Sequence, residues 1–204
     1  MVTKKPEEKE ISVVLELNTI TIPIKGIAPL IMSRFTEKAG RQMAESVSLK
    51  QGKKRIDDPK VQYENSIYYF ADGKTVGMPA VAFKAAIVRA ASSVYNMSMT
   101  QTRTLFRVLA DDPETGLVKI NGKHRMREDM VRIGPMNKTA SPRYRAEFPE
   151  WSANLTIQYV SNTLNEKTIA TLVNAAGFCC GVGEWRPEKS SSGSFGLFQV
   201  VPTK

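Results

Sequence analysis

Gly177-Phe178-Cys179-Cys180-Gly181-Val182-Gly183-Glu184-Trp185-Arg186-Pro187 is the stretch around which the chain reads most clearly. Before it, Thr168, Ile169, Leu172, Val173 and Ala176 recur at helical spacing. Asn165 can cap that helix, Thr168 falls at its third position, and Gly177 is a natural residue to stop it. After it come Ser190 to Gly193, then Phe195, Leu197 and Val200, which fit a closing strand. The order is helix, glycine-rich loop with a Trp and an Arg, serine segment, strand.

Gly177, Gly181 and Gly183 permit positive φ angles and a close approach of backbone or ligand. Successive free N–H groups in such a loop form an anion-binding concavity, and Arg186 adds a guanidinium suited to phosphate. The loop lacks the Lys-Ser/Thr of a P-loop, and no helix opens after it. It follows a helix rather than a strand, so it is not a dinucleotide fingerprint. The alternative is structural: glycines that only relieve sterics in a tight helix-to-strand connection.

The chain has 204 residues, enough for one domain with a real core, and its 42% hydrophobic and 24% charged residues are a globular composition. No apolar run approaches the roughly 18–20 residues that cross a bilayer. Residues 1–10 are charged and read as a solvated tail, not a signal peptide, so a cytoplasmic protein is expected. Cys179 and Cys180 are adjacent and have no Cys-x-x-Cys spacing, so they are expected to be small buried apolar groups rather than a disulfide or zinc site. His124 is the only histidine, which argues against a histidine-based metal centre; no cofactor is expected. The net charge of +9 points to a polyanionic partner, with nucleic acid favoured over membrane because no basic amphipathic helix is present.

Along the chain, Val13, Leu15 and Leu17, then Ile20, Ile22 and Ile24, alternate with polar residues as a half-buried strand that ends near Gly26 and Pro29. Residues 34–62 read as a basic insertion. It starts at Arg34, has a helix over 35–47, and carries Lys53, Lys54 and Arg55 in a loop; a solvated charged face is the alternative. A short strand over 67–70 and a turn over 71–74 precede a buried helix opened by Pro79, with Lys84 and Arg89 at its exposed edge. A strand is expected over 105–109, and a hairpin at Asn121-Gly122.

The region 117–148 is one-sidedly basic, with Arg125, Arg127, Arg132, Arg143 and Arg145 against few acids. Tyr144, Phe148 and Trp151 could stack on bases or fill the core. Leu155, Ile157 and Tyr159 form a further alternating strand before the 165–176 helix. Two strand–helix–strand halves imply an α+β fold, a ferredoxin-like or RRM-like antiparallel sheet with packed helices, spanning 11–204 as one domain.

Gly77-Met78-Pro79-Ala80-Val81-Ala82-Phe83-Lys84-Ala85-Ala86-Ile87-Val88-Arg89 resembles a segment of the CRISPR RAMP superfamily, where a glycine/proline turn opens a helix bearing a Lys and an Arg. Gly181-Val182-Gly183-Glu184-Trp185-Arg186, with Gly193 and Phe195-Gly196-Leu197-Phe198, resembles that superfamily's glycine-rich loop and closing strand. Lys25-Gly26-Ile27-Ala28-Pro29-Leu30 is similar to the end of its first strand.

The resemblance implies a compact relative, virus-encoded or stand-alone, of the backbone subunit of CRISPR effector complexes: non-catalytic, bound to guide RNA, and assembled in copies along it with other CRISPR-type subunits. Single-stranded nucleic acid would then lie across Lys25, Arg34, Lys84, Arg89 and Arg186, with the 50–60 and 119–145 segments reaching a neighbour or the next nucleotides. RNA and single-stranded DNA remain alternatives, since charge and stacking serve both. Two further readings stand beside this one. One is an interaction protein that mimics or joins a CRISPR-type assembly, or a phage single-strand DNA-binding or annealing protein. The other is a metal-independent endoribonuclease of the guide-processing type that uses His124 as base, although a solvent-exposed turn histidine is the expected role there.

Overall fold

The computed structural model describes residues 15–34, 58–133 and 139–202. The expected helix over 35–47, the basic triplet Lys53, Lys54 and Arg55, and Val13 lie outside the described residues. Strand β1 (Leu17–Gly26) is followed by β2 (Leu30–Met32) and α1 (Pro59–Asn65). Next come β3 (Gly77–Pro79), α2 (Ala80–Tyr95) and α3 (Met99–Leu105). Strands β4 (Phe106–Leu109), β5 (Leu117–Lys119), β6 (Arg125–Ile133), β7 (Thr139–Phe148) and β8 (Ser152–Val160) follow. Helix α4 (Glu166–Cys179) and β9 (Phe198–Val200) close the chain.

One antiparallel sheet carries the order β4-β8-β1-β9. Taking β1, α2, β4, β8, α4 and β9 as the β-α-β-β-α-β core, that order is second, third, first, fourth. This is the ferredoxin-like arrangement expected from the two strand–helix–strand halves. The registers run from Leu17 opposite Val160 to Lys25 opposite Ser152, with Ile24 opposite Val200 on the other side of β1. Because side chains alternate along a strand, Ile22, Ile24, Leu155, Ile157 and Phe106 all face the helices. There they meet Phe83 and Ile87 of α2 and Ile169, Leu172 and Val173 of α4. Burying Phe83 completely contributes about 2–3 kcal/mol.

Two smaller sheets are built into the connections. β2-β7-β6 forms a three-stranded sheet, and β3 pairs with β5. The basic 117–148 region thus contains a long hairpin, β6–β7, in register from Arg125 opposite Glu147 to Ile133 opposite Thr139.

Several local expectations are corrected. The described β1 begins at Leu17, because β8, its partner, ends at Val160. Residues 67–70 make only a single bridge, Tyr69 to Val76, around a turn in which Asp72 Oδ1 accepts from the N–H groups of Lys74 and Thr75. The strand expected at 105 begins at Phe106, since α3 occupies the residues before it; α3 is opened by Ser98 and was not foreseen. Asn121-Gly122 does not close a hairpin: β5 pairs with β3, and Asn121 instead bridges Ser152.

Gly177 does not stop α4. It lies inside the helix where an added Cβ would stand 2.0 Å from Phe198 O, so the missing side chain lets β9 pack on the helix. The helix stops two residues later, and Gly181 makes the left-handed turn at φ +66°. Phe148 and Trp151 are core residues rather than stacking platforms, since both are buried and the Trp151 indole N–H donates to Ala28 O at 2.9 Å. Cys180 is buried as expected, but Cys179 is only partly so.

Candidate nucleic-acid interface

At the end of α4 the N–H of Gly181 donates to Ala176 O at 2.9 Å. The chain then threads between two others: Val182 N–H donates to Gly196 O, Glu184 N–H to Ile31 O, and Gly196 N–H to Pro29 O. Gly196 sits at φ +67°, and a Cβ there would lie 1.7 Å from Val182 O; at Gly183 it would lie 2.5 Å from Ile31 O. The glycines therefore serve a three-chain crossing, as the structural alternative held. The N–H groups of Gly181, Val182 and Glu184 are committed to main-chain carbonyls and do not form a free anion cradle.

Beyond the crossing, Trp185 adopts φ +52° and turns its ring toward the β6–β7 hairpin. The Arg127 guanidinium lies 5.6 Å from the Trp185 ring centroid and 4.8 Å from that of Phe195, while Arg145 lies 5.4 Å from Trp185. The indole is thus in contact with two guanidiniums, each a favourable cation–π arrangement. The hairpin strands alternate, so Arg125, Arg127, Asp129, Arg143, Arg145 and Glu147 share this face.

Buried carboxylates hold the arginines. Glu147 Oε1 accepts from Arg127 Nη1 and Oε2 from Arg125 Nε, both at 2.7 Å, and Asp129 Oδ1 accepts from Arg127 Nε at 2.8 Å. Burial by itself would raise the Glu147 carboxyl, but the two arginine hydrogen bonds and their charges outweigh it and hold its pKa below the usual range. The Arg145 guanidinium is pushed down by burial, opposed by the charges of Glu184 and Asp129. One of its nitrogens and Asp129 Oδ2 are buried without a hydrogen-bond partner in the protein.

Arg186 and Arg89 meet at Glu188, each donating from Nε at 3.0 Å, and Arg186 Nη1 also donates to Gly183 O. Lys189 pairs with Glu184 at 3.0 Å. A cavity of about 150 Å³ opens beside this loop, walled by Tyr68, Met78, Ala82 and Ala85 with Glu184 and Arg186. Burial would raise the Glu188 carboxyl, but Arg186 and Arg89 more than offset it and lower its pKa.

Of the residues singled out in the sequence, Arg125, Arg127, Arg143, Arg145 and Trp185 come together on the hairpin–loop face. Arg89 and Arg186 share one carboxylate beside the loop. Lys84 is half-buried on α2, and Arg34 is exposed after β2, its N–H donating to Ser66 O. The proposed path across Lys25, Arg34, Lys84, Arg89 and Arg186 is not continuous. Ile24 points toward the helices, so Lys25 projects from the opposite side of the sheet to Lys84 and Arg89.

Sequence reasoning missed Phe195 and the carboxylates of Asp129, Glu147 and Glu188. Glu147 gave a signal through its alternation with Arg143 and Arg145, and Asp129 through its alternation with Arg125 and Arg127. His124 is not a solvent-exposed turn residue: its Nδ1 is 2.6 Å from the Tyr63 hydroxyl and its ring packs on Phe148. Burial lowers its pKa, so the ring is neutral at pH 7. Among the described residues no group of three His, Cys, Asp or Glu side chains is placed to hold a metal ion, and no helix is long and apolar enough to cross a membrane.

No family model matches the sequence, and no curated protein matches it significantly. Among solved structures the chain is similar to Cmr6 from Pyrococcus furiosus, with a TM-score of 0.45 and 12% identity over 92% of this chain and 100% of that one. It is also similar to a chain of the Type III-B Cmr-beta complex bound to cognate target RNA, with a TM-score of 0.44 and 10% identity over 93% of this chain and 61% of that one. The strand order, not these similarities, assigns the fold.

Proposed function

We propose that the protein binds single-stranded nucleic acid, RNA in preference to DNA, holds it without cutting it, and assembles in copies along the strand. This is how the backbone subunit of a CRISPR effector complex works. The observation that carries the reading is the meeting of a basic hairpin and a glycine loop: Arg127 and Arg145 lie against Trp185 and Phe195, and Arg125 and Arg143 share their face of the hairpin. In a chain of net charge +9 this face offers phosphate-binding guanidiniums, among which Arg125 keeps 69% of its side chain exposed.

Size-exclusion chromatography with light scattering and a 260/280 nm ratio, before and after nuclease, tests it. Large particles that carry nucleic acid and shrink with ribonuclease support the proposal. Shrinkage with deoxyribonuclease alone moves the assignment to single-stranded DNA. A nucleic-acid-free monomer unchanged by added oligonucleotides sinks it.

The Tyr63–His124 pair favours one second reading. A neutral imidazole hydrogen-bonded to a phenol, with Lys123 and Arg125 adjacent in sequence, is a set of groups able to move a 2′-hydroxyl proton without metal. RNA cleavage in EDTA that disappears in His124→Ala would establish it, and intact RNA after prolonged incubation excludes it.

A further inference from the structure

Among the described residues, the four-stranded sheet is covered by helices on one face only. On the other, the registers bring together the odd-numbered residues of β1, the even-numbered residues of β8, Arg107 and Leu109 of β4, and Gln199 of β9. None of these positions carries a carboxylate. Their two charges are cationic: Lys25, opposite Ser152, and Arg107, opposite Gln158, about 20 Å apart along β8. Both side chains are exposed, and neither has an ion-pair partner among the described residues. Arg89 of α2, Arg125 and Arg127 of the hairpin and Arg186 of the loop differ, since all four are held by carboxylates.

Between the two cations lie neutral hydrogen-bonding groups. The hydroxyls of Thr21 and Thr156 face each other across the ladder at 3.3 Å, and Asn154, Gln158 and Gln199 supply carboxamides. Such groups can both donate and accept, as contacts to ribose 2′-hydroxyls and base edges require. The face has no aromatic side chain, so stacking plays no part. It also lacks the large apolar centre that a protein partner would cover: Pro23 occupies the middle, while Leu17 and Leu109 stand at the margins.

We propose that this uncovered sheet face is a contact surface for single-stranded RNA, with Lys25 and Arg107 holding phosphates at its two ends and the amide and hydroxyl side chains meeting the sugar–base edges between them. The proposal rests on the reading of the protein as an RNA binder and adds a second contact face, on the opposite side of the sheet from α2 with its Lys84 and Arg89.

The test measures Kd for a labelled oligouridylate over a range of salt concentrations, using the full chain and its Lys25→Gln, Arg107→Gln and double variants. Each phosphate contact to a single strand contributes about 0.7 to the slope of log K against log salt. Each single variant is expected to flatten the slope by about 0.7, and the double variant by about 1.4. A wild-type protein that binds while the double variant keeps its slope overturns this inference and leaves the proposed function standing. An unchanged slope with loss of multi-subunit particles also overturns it, by assigning the face to a protein contact. A wild-type protein that does not bind oligouridylate at any salt concentration removes the proposed function and this inference together.

Discussion

The Glu147 carboxylate, buried near the end of β7, accepts a 2.7 Å hydrogen bond from Arg127 Nη1 of the paired strand, and through Arg127 it is tied to Trp185 and Phe195 of the glycine loop. This link between hairpin and loop thus runs through an acidic group, 5% exposed, that also holds Arg125. Replacing it removes one of the two carboxylates that hold Arg127 and the acceptor of the largely exposed Arg125.

Glu147→Gln is expected to destabilise the fold by about 1–2 kcal/mol, since it exchanges charge-assisted hydrogen bonds for neutral ones while Asp129 still holds Arg127. The folded carboxyl has a lowered pKa. Its contribution is complete at neutral pH, where it is ionised folded and unfolded. It begins to be lost near the unfolded value of about 4.3 and goes as pH falls through the lower folded one. Urea midpoints between pH 7 and pH 3 should fall less in Glu147→Gln than in wild type. Parallel curves would show that another carboxylate carries the acid sensitivity.

Gly73 and Gly196 have nearly the same positive φ, +66° and +67°, but different surroundings. A Cβ on Gly73 meets nothing within 4 Å, whereas on Gly196 it collides with Val182 O. Gly73→Ala should cost about 1 kcal/mol, the left-handed penalty alone. Gly196→Ala forces the three-chain crossing apart and should cost more than about 3 kcal/mol or prevent folding. Thermal melts of the two variants side by side decide it, and equal losses would mean the crossing yields easily.

The sheet and its two helices were legible because each buries one face. Alternation in β1 and β8 and the 3.6-residue period in α2 and α4 report that burial directly. The partners of the shorter strands were not legible. Asn121-Gly122 carries a hairpin signal, but β5 finds β3, some 40 positions earlier in the chain, and the hairpin forms one strand later. The site was half legible for the same reason. Residue type alone marked Arg127, Arg145, Trp185 and Arg186, but whether an arginine is free or neutralised depends on register. Glu147 meets Arg125 across 22 positions, and Glu188 meets Arg89 across 99. Local sequence carries no trace of such pairings.

The adjacent cysteines should differ in reactivity. Burial pushes the Cys180 thiol up to about 11, helped by the charge of Glu188, while Cys179 is partly accessible. The thiolate is the nucleophile, so a native-state pulse of iodoacetamide at pH 8 should label Cys179 well before Cys180, as read by peptide mass spectrometry. Equal labelling would mean that the end of α4 opens on the timescale of the pulse.

The Tyr63–His124 contact makes a prediction in a different pH window. The hydroxyl and Nδ1 are 2.6 Å apart, and the imidazole also packs 5.1 Å from the Phe148 ring. Burial holds the folded imidazole's pKa below its ordinary 6.5. Near neutral pH the group is largely unprotonated in both states and contributes no pH dependence. As pH falls through about 6.5 the unfolded chain takes up a proton that the folded chain refuses, so stability declines until the folded value is reached. Wild type should therefore lose stability in two steps, the first setting in as pH falls through about 6.5 from His124 and the second at carboxylate pH values from Glu147. Tyr63→Phe should remove about 1 kcal/mol at pH 7, the contribution of one hydrogen bond. His124→Asn should abolish the first step and leave the second intact. Chemical unfolding at closely spaced pH values resolves the two windows, and a first step that persists in His124→Asn would have to come from a group other than the chain's single histidine.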